Sequence, residues 1–552
     1  MNAVNRRQFL TQLSLTTAGL AFSKNILFSQ SSIIEEFVEA DTVYGRIKGY
    51  RTEGVNIFKG VPYAGKTSGE RRFRRPDKLE AWTGVRDATK LGAPAIQSPR
   101  RGEPDPSEDC LFLNVWTPAN DNKKRAVMFY SHGGGFVIGS GGAGHQDGAN
   151  LARHFDVVVV QTNHRLGLMG FLYLDELGGA DYEGSGNNGM LDIVEGLKWV
   201  NQNIAQFGGD PNNVMIWGES GGGAKTSCLY AMPSAAPFFN KASIESGPGV
   251  RMTDKTTAHE TTLQLLKELN IAEKDWRKIL DVPAAELLKM QAKLPFVAPF
   301  QEKNKSKGMM QRNAGGFSPV VDGKALPNHP FDPTAPDISK NKPLLVGWNE
   351  DEYTFFAWER KDTEFTKYDF DALHKKLEPQ YGENTAKLIK TYRKARPNAS
   401  AADIFIAISS ITMMGLGSIE IAEKKAKQNG APVYLYNFGY KSEVKLAGTD
   451  YALGTPHAMD ISFKFFNESA DKPSFFGGNK PERVTASHNF AELWTNFAKT
   501  GKPFAKNAPE WTAFNVKNRP TMRIDTQLTV INNRWKKEVE MWRSMGKLNP
   551  SS

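Results

Sequence analysis

The sequence contains few of the residues that would stabilise a fold through disulfide bonds or bound metal ions. Its 552 residues include only two cysteines, Cys110 and Cys228, too few for the disulfide framework of a small secreted domain. No group of Cys and His residues has the spacing of a metal site. Internal repeats and low-complexity tracts are also lacking, which excludes a solenoid or a long disordered chain. We therefore predict a fold held by apolar packing, with neither a metal nor a cofactor.

Positive charge predominates, but without the pattern of a nucleic-acid-binding protein. The net charge is +10 at pH 7, yet the lysines are scattered along helix-like stretches such as residues 423–427 (EKKAK). No basic stripe with interleaved aromatic residues occurs. We interpret the lysines as a solvated surface and predict no nucleic-acid partner.

Short apolar runs alternate with helix-like stretches along most of the chain. The runs that indicate buried strands are residues 126–130, 157–160, 214–217, 344–346 and 433–436. Such alternation predicts an α/β fold with a mostly parallel central sheet flanked by helices. Because no linker interrupts the pattern, residues 31–552 are predicted to form a single domain. The Lys-rich helical stretch at residues 253–316 is expected to form part of a lid above the carboxyl ends of the strands.

Residues 218–222 (Gly-Glu-Ser-Gly-Gly) place a serine between a strand and a helix. The strand-like run 213–217 precedes Ser220, and residues 224–231 can continue as a helix. G-x-S-x-G in this setting is the nucleophile elbow of α/β-hydrolases. Gly218 and Gly222 leave room where a Cβ would collide with the neighbouring strand or helix. The amide of Gly221 points to the place where negative charge develops during acyl transfer. A chance Gly-Ser loop is the alternative in a chain with 50 glycines.

A glycine triplet lies upstream in residues 131–136 (SHGGGF), after another strand-like run. Bare amides in such a loop can approach a substrate oxygen closely, so Gly134, Gly135 and Gly221 are predicted to form an oxyanion hole. A flexible turn and a phosphate-binding loop are alternatives. However, neither G-x-x-x-x-G-K-S/T nor a strand-linked G-x-G-x-x-G fits this segment.

Together with several other strings, these motifs resemble the type-B carboxylesterase and cholinesterase family. The matching stretches cover nearly the whole chain after its N-terminal segment: residues 58–64 (FKGVPYA), 82–88 (WTGVRDA), 108–115 (EDCLFLNV), 186–192 (GNNGMLD), 207–213 (FGGDPNN) and 494–501 (WTNFAKTG). The resemblance implies an α/β-hydrolase fold with helical lid insertions and an enzyme that hydrolyses carboxylic esters.

A serine hydrolase of this fold also needs an acid and a histidine, in the chain order Ser, Asp or Glu, His. Three carboxylates follow the strand-like run 344–347, namely Glu350, Asp351 and Glu352, and spacing does not choose among them. The resemblance places the catalytic acid at Glu352, although Tyr353 stands where the family commonly has glycine. We interpret Glu350 as part of a solvated acidic turn.

Three histidines follow the acid: His374, His457 and His488. His374 falls on the polar side of an amphipathic helix and His488 near a helix start, so both are predicted at the surface. His457 lies in a loop, residues 454–460 (GTPHAMD), that matches the catalytic histidine segment of the family. The resemblance implies His457 as the base and leaves Asp460 as a structural residue.

The expected reaction is attack of Ser220 on an ester carbonyl, with His457 taking the proton and Glu352 orienting the imidazole. The predicted partner is thus a small-molecule ester. An amide, thioester or carbamate could be cleaved by the same mechanism. A non-catalytic binding protein on the same fold is the alternative from another class.

The substrate pocket is predicted from residues beside the motifs. Phe136, Glu219 and Trp348, with Phe355 and Phe356, are expected near it, and their aromatic rings favour an apolar or aromatic group. Glu219 is also expected to influence the site electrostatically, since it adjoins the nucleophile. The sequence carries no signal for an oligomeric state.

The N-terminal segment resembles a bacterial twin-arginine export signal. Arg6 and Arg7 precede a moderately apolar stretch, residues 13–22, and no acidic residue occurs before Glu35. That stretch is too short to span a bilayer, which takes about 20 apolar residues. A disordered basic tail and a short anchor are the alternatives. We predict residues 1–30 as the signal, the twin-arginine translocase as a partner during export, and a periplasmic or secreted enzyme.

Cysteine usage agrees with that export route. In much of the family, the cysteine of the Glu-Asp-Cys-Leu segment is bonded to an earlier cysteine, but residues 93–97 (APAIQ) offer Cys110 no such partner. Cys228 is predicted to pack in the core. Twin-arginine substrates fold in the reducing cytoplasm, so stability without disulfides is expected.

Overall fold

A computed structural model of the protein describes residues 35–294 and 316–548. The predicted export signal, residues 1–30, lies outside these ranges, and so do residues 295–315 of the predicted lid.

The described strands are short and follow the apolar runs of the sequence. They are β1 Glu36–Thr42, β2 Gly45–Thr52, β3 Val55–Pro62, β4 Val85–Asp87, β5 Phe112–Thr117, β6 Arg125–Ser131, β7 Val158–Thr162, β8 Gly209–Glu219, β9 Lys241–Glu245, β10 Thr253–Asp254, β11 Val320–Val321, β12 Leu344–Asn349, β13 Val433–Phe438, β14 Ser442–Lys445, β15 Ala452–Gly454, β16 Thr521–Ile524 and β17 Thr529–Ile531.

Most of these strands form one sheet, which has thirteen strands in the described part of the chain. Its order is β1-β2-β3-β5-β7-β6-β8-β9-β12-β13-β16-β17, with β4 beside β2. The pairs from β7 to β16 are parallel, whereas the pairs of β1 with β2, β2 with β3, β3 with β5, β5 with β7 and β16 with β17 are antiparallel. The predicted parallel centre is therefore confirmed, and antiparallel strands extend it at both edges.

The helices of the described residues include the crossovers between the parallel strands. They are α1 Ala149–Phe155, α2 Gly167–Phe171, α3 Asp175–Gly178, α4 Asn188–Asn203, α5 Gly221–Ala231, α6 Lys255–Glu268, α7 Ala284–Lys293, α8 Tyr353–Arg360, α9 Phe370–Tyr381, α10 Thr385–Ala395, α11 Ala401–Ser410, α12 Leu416–Lys427, α13 Met459–Lys464, α14 Arg483–Thr500 and α15 Lys536–Ser544. The local sequence explains where several of these helices begin. Asp254 and Asp369 cap α6 and α9, and Ser400 with Asp403 forms a capping box at α11.

The central strands separate two apolar cores. On β6, Val127 and Phe129 belong to one core, while Met128 and Tyr130 belong to the other, because successive side chains of a strand point to opposite faces. The first core also contains side chains of α4 and α5, and the second contains side chains of α1 and α14. Burial on both faces is why these strands read as continuous apolar runs rather than as alternating patterns.

One helical stretch, Ala401–Lys427, is long and apolar enough to cross a membrane. It comprises α11, a π-helical segment at Ile411–Gly415, and α12. However, 78% of its most apolar window is buried inside the fold. We therefore interpret it as a core helix, because a buried helix of a folded domain can be as long and as apolar as a membrane-spanning one.

The predicted helical character of residues 253–294 is confirmed by α6 and α7. The side chain of Gln291 in α7 accepts a hydrogen bond from the amide of Leu168 at 2.6 Å, so α7 is fixed against α2. Both cysteines are buried and free, as the sequence predicted.

Candidate active site

Ser220 occupies a strained turn between β8 and α5. Its backbone has φ 58° and ψ −123°, in the region that favours glycine. The turn is tight because a Cβ at Gly222 would overlap the carbonyl oxygen of Ser131, and one at Gly218 would overlap the backbone of Gly222. Strain of this kind persists only where the surrounding structure enforces it, and it commonly marks functional positions.

His457 and Glu352 extend a hydrogen-bonded chain from this serine. His457 Nε2 lies 2.8 Å from Ser220 Oγ, and His457 Nδ1 lies 2.6 Å from Glu352 Oε2. Glu352 is completely buried, and its other oxygen accepts a hydrogen bond from the amide of Asn349 at 2.7 Å. The structure thus brings His457 into contact with a serine 237 positions before it and a glutamate 105 positions before it.

Glu219 provides a second carboxylate beside the imidazole. Its Oε1 lies 3.4 Å from His457 Nε2 and accepts a hydrogen bond from the amide of Ala458 at 3.1 Å. Burial by itself lowers the pKa of His457, but the charges of Glu219 and Glu352 outweigh it and raise that pKa to about 9. Burial also raises the pKa of Glu219, and the charge of His457 opposes that rise. A carboxylate here favours the imidazolium that forms once the histidine has taken a proton.

The glycine loop lies against the elbow. Gly134 and Gly135 have φ values of 84° and 63°, and a Cβ at Gly221 would overlap the backbone of Gly135. Among the described residues, no acceptor takes a hydrogen bond from the amides of Gly134, Gly135 or Gly221. The amide of Gly221 is one of the first in α5, so the helix itself offers it no partner. The three amides are available to an oxygen that carries negative charge.

These groups open into one cavity of about 590 Å³. Ser220, His457, Glu219, Gly134 and Gly135 are part of its wall. The remaining wall is mainly apolar, with Ile138, Phe355, Phe356, Met459, Ile461, Phe475 and Phe476. The rings of Phe355 and Phe356 lie 5.6 Å and 5.1 Å from the ring of His457. A cavity of this size and lining suits a small apolar or aromatic molecule.

Two of the predicted pocket residues lie elsewhere. Trp348 packs against Trp535 with ring centroids 4.6 Å apart and lines a separate cavity of about 340 Å³. Its side chain lies in the first apolar core, on the face of β12 opposite to Leu345. Phe136 does not line the cavity either, since its ring packs against Phe171 at 5.4 Å. Among the described residues, α6 and α7 of the predicted lid contribute nothing to the cavity wall.

The rival acids have structural roles. Glu350 is paired with Arg534 at 2.6 Å and with Lys441 at 3.2 Å, so its interpretation as a solvated residue is wrong. Asp351 is paired with Lys441 and accepts a hydrogen bond from the amide of Thr455 at 2.8 Å.

Asp460 joins a buried charge network with Lys464 at 2.9 Å, in agreement with its structural interpretation. His374 is half-buried on α9, and His488 is exposed on α14. Neither histidine lines the cavity at Ser220.

Sequence reasoning missed the aromatic rim formed by Phe475 and Phe476. These residues sit in a loop of glycines, lysines and small polar residues, and Phe475 is 62% exposed. Two adjacent aromatics where no strand or helix requires them are a signal that could have identified them. As for metals, the residues that the structure describes contain no group of three or more His, Cys, Asp or Glu side chains that could hold an ion.

Residues 36–542 match the carboxylesterase family. The chain belongs to this family. It is 34% identical over 499 residues to para-nitrobenzyl esterase from Bacillus subtilis (strain 168), which covers 89% of this chain and 95% of that protein. Its structure is similar to that of the carboxylesterase EST55 from Geobacillus stearothermophilus, with a TM-score of 0.76, 34% identity and coverage of 91% and 99%. An esterase from Clostridium hathewayi that can hydrolyze aliphatic aromatic polyesters matches with a TM-score of 0.75, 28% identity and coverage of 93% and 99%.

These matches show that the protein is a carboxylic ester hydrolase with the α/β-hydrolase fold. The predicted family and fold are thereby confirmed. Family membership leaves open which residues carry out the reaction in this chain and which ester it cleaves.

Proposed function

We propose that this carboxylesterase cleaves esters through a Ser220–His457–Glu352 triad and an acyl-enzyme intermediate. The observation that supports the proposal is the hydrogen-bonded chain from Ser220 Oγ through both ring nitrogens of His457 to a buried carboxylate, with distances of 2.8 Å and 2.6 Å. Spacing of this kind lets the imidazole accept the serine proton as the hydroxyl attacks.

The reaction then follows from the arrangement of charges. Ser220 Oγ bonds to the ester carbonyl carbon, and the carbonyl oxygen becomes an oxyanion held by the amides of Gly134, Gly135 and Gly221. His457 gives its proton to the leaving alcohol, which leaves an acyl group on Ser220. Water, deprotonated by His457, attacks that acyl group and releases the acid.

The cavity wall favours esters that carry an aromatic or branched apolar group. Phe355, Phe356 and Phe476 surround the space beside His457, and Phe475 extends the aromatic surface outward to solvent. The names of two relatives agree with this proposal, since one is a para-nitrobenzyl esterase and another hydrolyzes aliphatic aromatic polyesters.

The mechanism is tested with Ser220→Ala and two assays. Wild-type enzyme should hydrolyse p-nitrophenyl and benzyl esters and react with a fluorophosphonate probe, whereas the variant should do neither. Loss of the nucleophile in a triad enzyme lowers kcat by about 10⁶. Comparable turnover in the two proteins would refute the triad. An unlabelled, inactive wild type would instead favour a binding protein on this fold.

We also propose that the protein is exported through the twin-arginine route and works in the periplasm or outside the cell. The support is Arg6 and Arg7 ahead of the apolar residues 13–22. The two free, buried cysteines are compatible with folding before export, because positioning of the triad requires no disulfide.

Export is tested by changing Arg6 and Arg7 to lysine, which preserves the charge. A receptor that reads the guanidinium pair should reject the variant, so active enzyme should remain in the cytoplasm. A general export signal needs only positive charge ahead of its apolar stretch. Unchanged esterase activity outside the cytoplasm would therefore contradict the twin-arginine assignment.

A further inference from the structure

A buried group of three basic side chains lies beside the glycine loop, and one of them, His132, borders the cavity at Ser220. Lys225 on the second turn of α5, His132 just after β6 and His164 just after β7 are each at most 2% exposed. The rings of the two histidines stack with centroids 4.5 Å apart. Among the described residues, no carboxylate is paired with any of the three. The proposed mechanism does not use them.

Such a group is costly to bury. An ammonium that is removed from water without a counter-ion destabilises the fold, whereas a leucine or methionine would fill the same space without that penalty. Burial lowers the pKa of Lys225 to about 7. Burial is also the main reason that the pKa of His132 and of His164 lies well below the ordinary value, and the charge of Lys225 is the second reason. Both rings are therefore neutral near pH 7.

The hydrogen bonds of this group lead to the glycine loop. Lys225 Nζ donates to the carbonyl oxygen of His132 at 2.9 Å. The ring of His132 lies with Nδ1 2.8 Å from the carbonyl oxygen of Gly133, and in the neutral ring this nitrogen carries the proton and donates. The Gly133 carbonyl shares its peptide group with the amide of Gly134. A donor at the carbonyl both fixes the plane of that peptide and polarises its N–H.

We propose that Lys225 is a positioning residue for ester hydrolysis. Through the carbonyl oxygen of His132, its Nζ holds the glycine loop so that the amides of Gly134 and Gly135 meet the oxyanion of the transition state. This inference rests on the proposed function, since it assigns Lys225 to the oxyanion hole of that mechanism. It predicts that loss of Lys225 affects the transition state more than the bound substrate.

The test compares Lys225→Met with Lys225→Gln and with a matched control, Lys241→Met. Methionine keeps the length of the side chain but removes its N–H donors, whereas glutamine keeps a donor. Lys241 is also buried and donates to the carbonyl oxygen of Ala498 at 2.9 Å, but it lies at the amino end of β9, whereas Ser220 follows the carboxyl end of the neighbouring β8. The measurements are kcat and KM for a p-nitrophenyl ester, the inhibition constant of a trifluoromethyl ketone and the thermal midpoint.

Lys225→Met should lower kcat about tenfold or more, with KM changed less than about threefold. The inhibition constant of the ketone should rise by about the same factor by which kcat/KM falls. Lys225→Gln should lose less, because it retains a donor. Lys241→Met should alter only the thermal midpoint. These results together would support the positioning role.

The inference is overturned if Lys225→Met keeps kcat and ketone affinity within about twofold of the wild type. Equal losses in Lys241→Met would also overturn it, because they would reflect general destabilisation. If the methionine variant does not fold, Lys225→Gln decides by the same two readouts. An active Ser220→Ala would refute the triad itself, whereas an inactive Ser220→Ala beside an unaffected Lys225→Met refutes only this inference.

Discussion

Residues 348–352 contribute to two cavities with opposite character. Glu352 points towards His457 and the cavity at Ser220, whereas Trp348, Glu350 and Asp351 line the cavity beside Trp535. In the first cavity, the amides of Gly134 and Gly135 have no hydrogen-bond partner in the described part of the chain, and Ser220 is strained. In the second, the carboxylates are matched by arginine and lysine. Unpaired backbone donors beside a strained serine are typical of a reactive site, while paired charges are typical of a structural one.

The largest difference between the two cavities is expected when glutamine replaces glutamate at each of two positions in one turn, 350 and 352. Glu352→Gln should lower kcat/KM by about 10⁴, because the amide no longer holds the imidazole in the productive tautomer. Glu350→Gln should leave kcat/KM within about threefold, since Glu350 faces the other cavity. Steady-state kinetics with a p-nitrophenyl ester measure both. Equal effects at the two positions would remove the distinction between the cavities.

A smaller effect is expected from crowding the oxyanion hole. Gly221→Ala adds a Cβ that would overlap the backbone of Gly135, so it should displace the glycine loop and lower kcat about 10²- to 10³-fold. Gly144→Ala is the control, because nothing lies within 4 Å of a Cβ at Gly144. Its kcat should match that of the wild type. A fully active Gly221→Ala variant would argue against these amides as the oxyanion hole.

The second cavity should respond in stability rather than in rate. Burial raises the pKa of Glu350, but Lys441, Arg534 and Arg523 outweigh it and lower that pKa from 4.5 to about 2. A folded-state pKa below the unfolded value contributes stability above the unfolded pKa, and that contribution is lost as the pH falls from about 4.5 towards 2. Glu350→Gln should therefore cost about 1–3 kcal/mol at pH 7.

Urea unfolding of Glu350→Gln and wild type at several pH values measures this cost. The difference between the two proteins should shrink as the medium becomes acidic, because protonation of Glu350 removes the same charge. A constant difference across this range would contradict the ion-pair explanation.

The smallest expected effect concerns the pH profile. Since the charge of Glu219 raises the pKa of His457, Glu219→Gln should lower that pKa. The base acts in its neutral form, so the acidic limb of kcat/KM should move to lower pH. Glu359→Gln is the control, because Glu359 lines the same cavity but is exposed. An unmoved limb in the Glu219 variant would show that the carboxylate does not influence the base.

Local sequence determined the scaffold of the site. The apolar runs predicted β6, β8, β12 and β13, because strands buried on both faces need apolar residues at every position. Gly218 and Gly222 predicted the elbow, since only glycine fits where a Cβ would meet another part of the backbone. The choice of Glu352 and His457 needed the family resemblance, because spacing alone favoured no acid and no histidine.

The tertiary structure alone decided what surrounds the reactive groups. Trp348 lies on a strand beside the predicted acids and Phe475 in a distant polar loop, yet only Phe475 borders the cavity at Ser220. Glu350 meets Arg534 across 184 positions of the sequence, and Lys225 meets the carbonyl of His132 across 93. Such contacts arise when crossover helices bring distant strand ends to one edge of the sheet. Local propensity fixes each strand and turn, but which side chains then face one another depends on how the whole sheet is assembled.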